Sequence, residues 1–185
     1  MTVHPVHAAP TQTPMAARTL VTFRALLAAL SSPGEVIALP AGHDPFALIG
    51  ETLLDLETSF HTPDAALRAR LGDTGARPLP AHEADYIFFP VLDDAALAAL
   101  REARRGDPLE PQRAATVIIG TTFVGDAVTL RGPGISGVRR AALGLPPAFW
   151  TQRLAALSYP LGWDAFLVAP DAVAGLPRTT RVEVD

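Results

Sequence analysis

An α/β fold is what this sequence predicts, with helices on both faces of a mixed sheet and three layers in all. Two observations carry most of that reading. Segments of helical apolar spacing alternate with short β-branched or aromatic runs such as residues 86–91 and 115–123. Runs 115–123 and 127–130 are also separated by a Gly125-Asp126 turn, which reads as a hairpin and therefore makes the sheet mixed.

Residues 1–13 hold prolines and small polar side chains and read as a flexible arm, leaving 14–185 as one α/β domain. Pro14 suits the first turn of a helix, and Leu20, Phe23, Leu26, Leu27 and Leu30 follow at helical spacing. Ser31-Ser32-Pro33-Gly34 stops that helix, and 35–39 reads as a short strand. Asp44 caps a second helix that opens at Pro45 and runs to 56, with Phe46, Ile49, Leu53 and Leu56 on one face. A brief strand at 59–61 precedes a third helix, opened by Thr62-Pro63 and closed by Gly72. After a Pro/Gly loop to about Pro80, 86–91 is a buried strand and Asp93 caps a fourth helix that ends at Gly106. The run 115–123 has a β-branched centre and no turn signal, as a central strand should. Pro146 and Pro147 open a last helix carrying Phe149, Trp150, Leu154 and Leu157; strands at 163–169 and 179–184 follow, the latter with Val182 and Val184 on one face.

Composition excludes whole classes of chemistry. All 15 basic residues are arginine, and lysine, cysteine and asparagine are absent. Without lysine there is no Schiff base to pyridoxal phosphate and no Walker A phosphate lysine. Without cysteine there is no disulfide, thiolate nucleophile or zinc–thiolate site. The net charge of −4 argues against a nucleic-acid binder. No apolar stretch reaches the roughly 20 residues of a membrane span, and the start of the chain carries no targeting signal, so a cytoplasmic protein is expected. Hydrophobic residues make up 49% and charged residues 18%, which points to surface covered by another chain.

Candidate chemistry is sparse. The five histidines show no metal-ligand spacing apart from His4 and His7, which fall on the arm, so no metal is expected. Asp55 and Glu57 are two apart, a poor acid/base pair on a helix. No GxSxG elbow is present, and no catalytic residue is assigned. Arg131-Gly132-Pro133-Gly134 is a loop where glycines let backbone amides approach an anion and Arg131 can hold its oxygens, though a tight turn needs the same glycines. Asp164, beside Trp163, is a charge close to the core whose ordinary explanation is capping or pairing with an arginine. Arg178 and Thr179 open a run of two arginines and two hydroxyls. If the chain turns there, Arg178 is the better anion or partner contact, and its loss should weaken assembly or activity more than loss of Arg181, with little loss of fold stability in either case.

The segments FRALLAALSSPG (23–34), TLLDLET (52–58), LRGPGI (130–135), YPLGWDAFLV (159–168) and LPRTTRVEV (176–184) together resemble the H subunit of the bacterial carbon–phosphorus lyase core complex, the PhnH family, over nearly the whole chain. The resemblance implies a three-layer α/β/α fold similar to pyridoxal-phosphate-dependent transferases, but without cofactor, in keeping with the missing lysine. It also implies a homodimer that assembles with the G, I and J subunits in organic phosphonate breakdown. In that assembly a phosphonate displaces adenine from ATP, and the radical cleavage of the C–P bond belongs to another subunit. The expected role is an accessory, non-catalytic subunit. A small stand-alone transferase or hydrolase that uses the glycine loop and arginines for a phosphate ligand is the alternative.

Overall fold

Thr13 accepts a hydrogen bond from the Ala16 amide, and Pro14 has no amide proton to leave unmatched, so helix α1 (Pro14–Ser31) begins where the proline predicts. The structure, a computed structural model, describes residues 13–184. Apart from Thr13, the arm expected over 1–13, with His4 and His7, lies outside the described residues. Asp44 caps α2 (Pro45–Leu53) by accepting from the Phe46 and Ala47 amides. Asp64 does the same for α3 (Ala65–Gly72), and Asp93 for α4 (Asp94–Arg101). The fifth helix, α5, is Pro147–Ala156.

Seven strands form the main sheet. They are β1 (Ile37–Ala38), β2 (Ser59–His61), β3 (Arg77–Pro78), β4 (Tyr86–Phe89), β5 (Thr116–Gly120), β8 (Asp164–Ala169) and β9 (Ala172–Leu176), in the order β1-β9-β8-β5-β4-β2-β3. From β8 to β3 every pairing is parallel; β9 runs antiparallel to both β8 and β1. Strands β6 (Ala127–Arg131), β7 (Arg139–Ala142) and β10 (Arg181–Val184) make a separate antiparallel sheet in the order β10-β6-β7.

Alternation along the central strands builds the three layers. Phe88, Ile118 and Phe166 point to one face, where α1, α2 and α3 pack through Leu26, Ile49 and Leu71. Ile87, Val117, Ile119 and Leu167 point to the other, covered by α4 and α5 together with Val128 and Leu130 of the small sheet. Helix α1 lies close on β9 because Gly175 has no side chain; a Cβ there would stand 2.5 Å from the Ala29 carbonyl oxygen.

The mixed sheet expected from the sequence is present, but the hairpin invoked for it is not. Strand β5 is buried on both faces and takes the centre between β4 and β8. Strand β6 alternates, with Val128 and Leu130 buried, and joins the small sheet. The hairpin that reverses the sheet is β8–β9, and β9 (AVAGL) lacks the bulky residues that mark a strand. Several boundaries also move inward. The strand expected over 35–39 is Ile37–Ala38 only, and α2 and α4 stop at Leu53 and Arg101. The run begun at 115 ends at Gly120. The strand expected from 179 starts at Arg181, because the Thr180 amide closes a turn onto the Pro177 carbonyl at 2.9 Å.

Candidate functional site: a groove between α5 and β10

A groove of about 1160 Å³ runs between α5, the end of β6, the 177–180 turn and β10. Among the sequence-predicted site residues, Arg131, Gly132, Arg178 and Thr179 lie on its wall. Gly134 stands apart from it, packed under the end of α1. Its φ is +80°, and a Cβ would fall 2.3 Å from the Ser31 carbonyl oxygen. Gly132 has φ +142°, with the Thr179 carbonyl oxygen 2.9 Å from the place of a Cβ. The two glycines thus let the loop close against α1 and against the 177–180 turn, the use a tight structural loop makes of them.

Asp164 and Arg178 meet. The Asp164 carboxylate accepts from the Arg178 amide at 2.7 Å, from Nη2 at 2.7 Å and from Nε at 3.2 and 3.3 Å. Nη1 donates to the Pro111 carbonyl at 2.6 Å. The pair retains 18% and 23% of its side-chain exposure. The chain does turn at Arg178, but the guanidinium is spent inside the protein, tying the start of β8 to the turn and to the Pro111–Arg113 3₁₀ segment. That geometry reverses the expectation that losing Arg178 costs little stability.

Sequence reasoning missed the residue at the groove floor. Arg153 is 1% exposed, whereas Leu154, assigned to the apolar face, is 74% exposed. Buried positions Phe149, Arg153 and Ala156 are four and three apart, so the helix sets its cation among its core residues. The detectable signal was an arginine in register with Phe149. Arg153 Nη2 donates to the carbonyls of Leu176 and Pro177 at 3.1 and 2.7 Å, and the guanidinium lies 5.2 Å from the Trp163 ring centroid. Burial pulls its pKa down to about 10, partly opposed by the Asp164 charge, so it is a cation at neutral pH. Its Nε and Nη1 have no partner among the described residues, and neither has the buried Thr180 hydroxyl.

A second polar cluster sits where β2 and β4 begin. Asp85 accepts from the Ser59 hydroxyl at 2.5 Å, from the Ser59 amide at 2.9 Å and from Arg104 Nη2. Burial raises the Asp85 pKa, but the Ser59 and Arg104 hydrogen bonds and the Arg104 charge outweigh it and the net shift is down. Held ionised, Asp85 is a poor general base for Ser59, and the cluster lies at the N-terminal ends of the parallel strands rather than in the ligand crevice of open α/β sheets. Near the C-terminal ends the cavity is only about 170 Å³ and is bounded by the capping carboxylates Asp44 and Asp64. Asp55 makes a turn, accepting from the Glu57 and Thr58 amides at 2.9 and 3.1 Å. Among the described residues no three histidine or acidic side chains gather as metal ligands, and no helix is long and apolar enough to cross a membrane.

Residues 11–183 match the family model described as bacterial phosphonate metabolism protein PhnH. A putative C-P lyase subunit, HtxG, of Stutzerimonas stutzeri is 33% identical over 175 residues, covering 91% of this chain and 88% of that protein. The alpha-D-ribose 1-methylphosphonate 5-triphosphate synthase subunit PhnH of Rhizobium meliloti (strain 1021) is 30% identical over 184 residues, covering 87% of this chain and 88% of that protein. With its family match running almost end to end, the chain belongs to the PhnH family of bacterial phosphonate metabolism proteins.

Proposed function

We propose that this chain is an accessory subunit of a carbon–phosphorus lyase assembly in organic phosphonate catabolism, with no reaction centre of its own. The observation that carries the reading is the family match over residues 11–183, joined to two relatives that are both named as subunits. The polar chemistry agrees with it. Arg178–Asp164 and Asp85–Arg104 are internal ties, and no described nucleophile stands beside a free base. The stand-alone transferase or hydrolase is disfavoured on the same ground, because the glycine loop and Arg178 are committed to packing.

The mainly parallel seven-stranded sheet, covered by helices on both faces, supports the inference that this is a pyridoxal-phosphate-transferase scaffold reused without cofactor. Exposed apolar side chains support the inferred partners, a second copy and the G, I and J subunits. Leu20, Phe23 and Leu27 line the outer side of α1 at helical spacing, and Leu154, Tyr159 and Val184 rim the groove. A cytoplasmic location is part of the same reading. The test is purification of the tagged chain from cells expressing the neighbouring phosphonate genes untagged. Co-elution of the other subunits in fixed ratio, with a dimer of the 19.5 kDa chain by light scattering when it is alone, is expected. A strict monomer that brings nothing along and hydrolyses a phosphate ester by itself would overturn the proposal.

A further inference from the structure

Strand β10 is an edge of the small sheet. It pairs with β6 in an unbroken register from Arg181↔Arg131 to Val184↔Val128, and no other described strand pairs with it. Alternate residues of an antiparallel strand turn their N–H and C=O groups outward, so the free side of β10 presents unpaired donors and acceptors. The edges of the main sheet are blunted, since β1 and β3 have two residues each and β3 includes Pro78. Strand β10 has four residues, without proline or bulge. Its charges, Arg181 and Glu183, deter indiscriminate pairing but do not cover the edge. The other edge of the small sheet, β7, lies outside the groove, whereas β10 forms one wall of it and α5 the other.

Side chains and charge narrow the occupant. The α5 wall presents Leu154 with Trp150 and Leu157, and Tyr159 is 81% exposed on the same groove. Four arginines and one glutamate line it. Glu183 faces Arg131 at 3.7 Å and Asp164 holds Arg178, which leaves Arg153 and Arg181. The Arg153 donors are sealed within the packing and touch no occupant, but its positive charge stands behind the apolar wall. Arg181 is exposed and has no ion pair among the described residues. In a chain of net charge −4, this local excess favours an acidic occupant. A docked amphipathic helix would cover Leu154 and leave the β10 edge unpaired; an extended segment answers both.

We propose that the groove between α5 and β10 docks an extended acidic and apolar segment of a partner protein by strand addition. The segment pairs with the free edge of β10, sets alternate apolar side chains against Leu154, and lays a carboxylate beside Arg181. The inference rests on the accessory-subunit reading only in expecting a protein partner. Its test therefore uses the isolated chain, so that failed co-purification and failed strand addition are separate results.

The experiment is fluorescence anisotropy of the full chain with end-capped octapeptides that alternate valine with aspartate. Saturable binding is expected, at least roughly tenfold tighter than for the same peptide with lysine in place of aspartate. Two further peptides carry N-methyl groups on one or the other alternate set of backbone nitrogens. Only one edge of an added strand faces β10, so one set should cost roughly tenfold or more and the other little. Leu154→Asp and Arg181→Glu change exposed side chains, should fold, and should each weaken binding several-fold. Hydrogen exchange at residues 181–184 should slow when the aspartate peptide binds. No saturable binding, equal affinity for the lysine peptide, or equal effects of the two methylated sets would overturn the proposal. Exchange at 181–184 that is already slow in the free chain and quickens on dilution would assign the edge to a second copy, and would overturn it as well.

Discussion

Replacing Arg178 with alanine should destabilise this protein markedly. The side chain and its own amide make four of the hydrogen bonds that reach Asp164, and Nη1 makes one more to Pro111. The amide bond survives the substitution; the guanidinium bonds do not. Breaking a fully buried ion pair costs about 3–5 kcal/mol, because a charge is left unmatched. Here water reaches part of both side chains, 18% and 23% exposed, and relieves some of that cost. About 2–3 kcal/mol is the expected loss, in line with hydrogen bonds to charged groups. For a chain of this length that is a fall in Tm of roughly 5–10 °C. Lysine at the same position should recover only part of it, since one ammonium cannot serve Asp164 with two nitrogens and also reach Pro111. Thermal and urea unfolding of the purified variants measures the effect. An Arg178→Ala protein that melts within about 1 °C of the wild type would show the pair to be dispensable and refute the reasoning.

Gly134→Ala and Gly132→Ala should each lower stability by about 1–3 kcal/mol in urea unfolding. The larger loss is expected at Gly134, where positive φ is joined by a 2.3 Å approach to a carbonyl oxygen. Asp85 has a folded-state pKa below its value of 3.8 in the unfolded chain, so its contribution is present above that pH and disappears as pH falls through the lower folded value. Unfolding midpoints measured from pH 5 downward should therefore fall less steeply for Asp85→Asn than for the wild type. Glutamate in place of Phe23, on the exposed side of α1, should leave the melting temperature nearly unchanged and shift light scattering toward monomer if that stripe is the contact between copies.

Much of the fold was legible because local signals and burial agree. Asp44 and Asp93 cap helices where expected, while the third helix opens two residues later than Thr62-Pro63 suggests, after Asp64. The apolar runs of β4, β5 and β8 form the sheet centre. What failed to show was set by long-range contact. Nothing local distinguishes β6 as the partner of β5 from β6 as the partner of β7 and β10, since a two-residue turn permits either. Strand β9 carries no strand signal, because its Gly175 and alanines suit the helix lying on it. The site was only half visible for the same reason. Arg131, Gly132, Arg178 and Thr179 do line one groove, brought there by the β6–β10 pairing, and Asp164 does pair with an arginine as its place near the core suggests. That the arginine is Arg178 depends on the 177–180 turn, a long-range contact.

Helix α5 shows why that last point bears on function. Apolar periodicity favours Leu154 and Leu157 as the inward positions, whereas the fold turns Phe149, Arg153 and Ala156 inward and leaves Leu154 at the groove rim. A helix facing only water would gain by the opposite rotation, which hides a leucine and solvates an arginine. The observed rotation seats Phe149 against Trp150 and Trp163 at ring separations of 5.0 and 5.8 Å, and it places the guanidinium against the Trp163 face and two carbonyls. Those contacts cover only part of what the inversion costs: three N–H donors and a leucine side chain are still unmatched. The guanidinium donors are sealed within the packing, whereas Leu154 faces the groove. An apolar surface laid over Leu154 would offset part of that cost. The ring packing of Phe149 and the seating of Arg153 on Trp163 and two backbone carbonyls are therefore what hold α5 in this orientation, and replacing Phe149 should cost more stability than replacing Leu154.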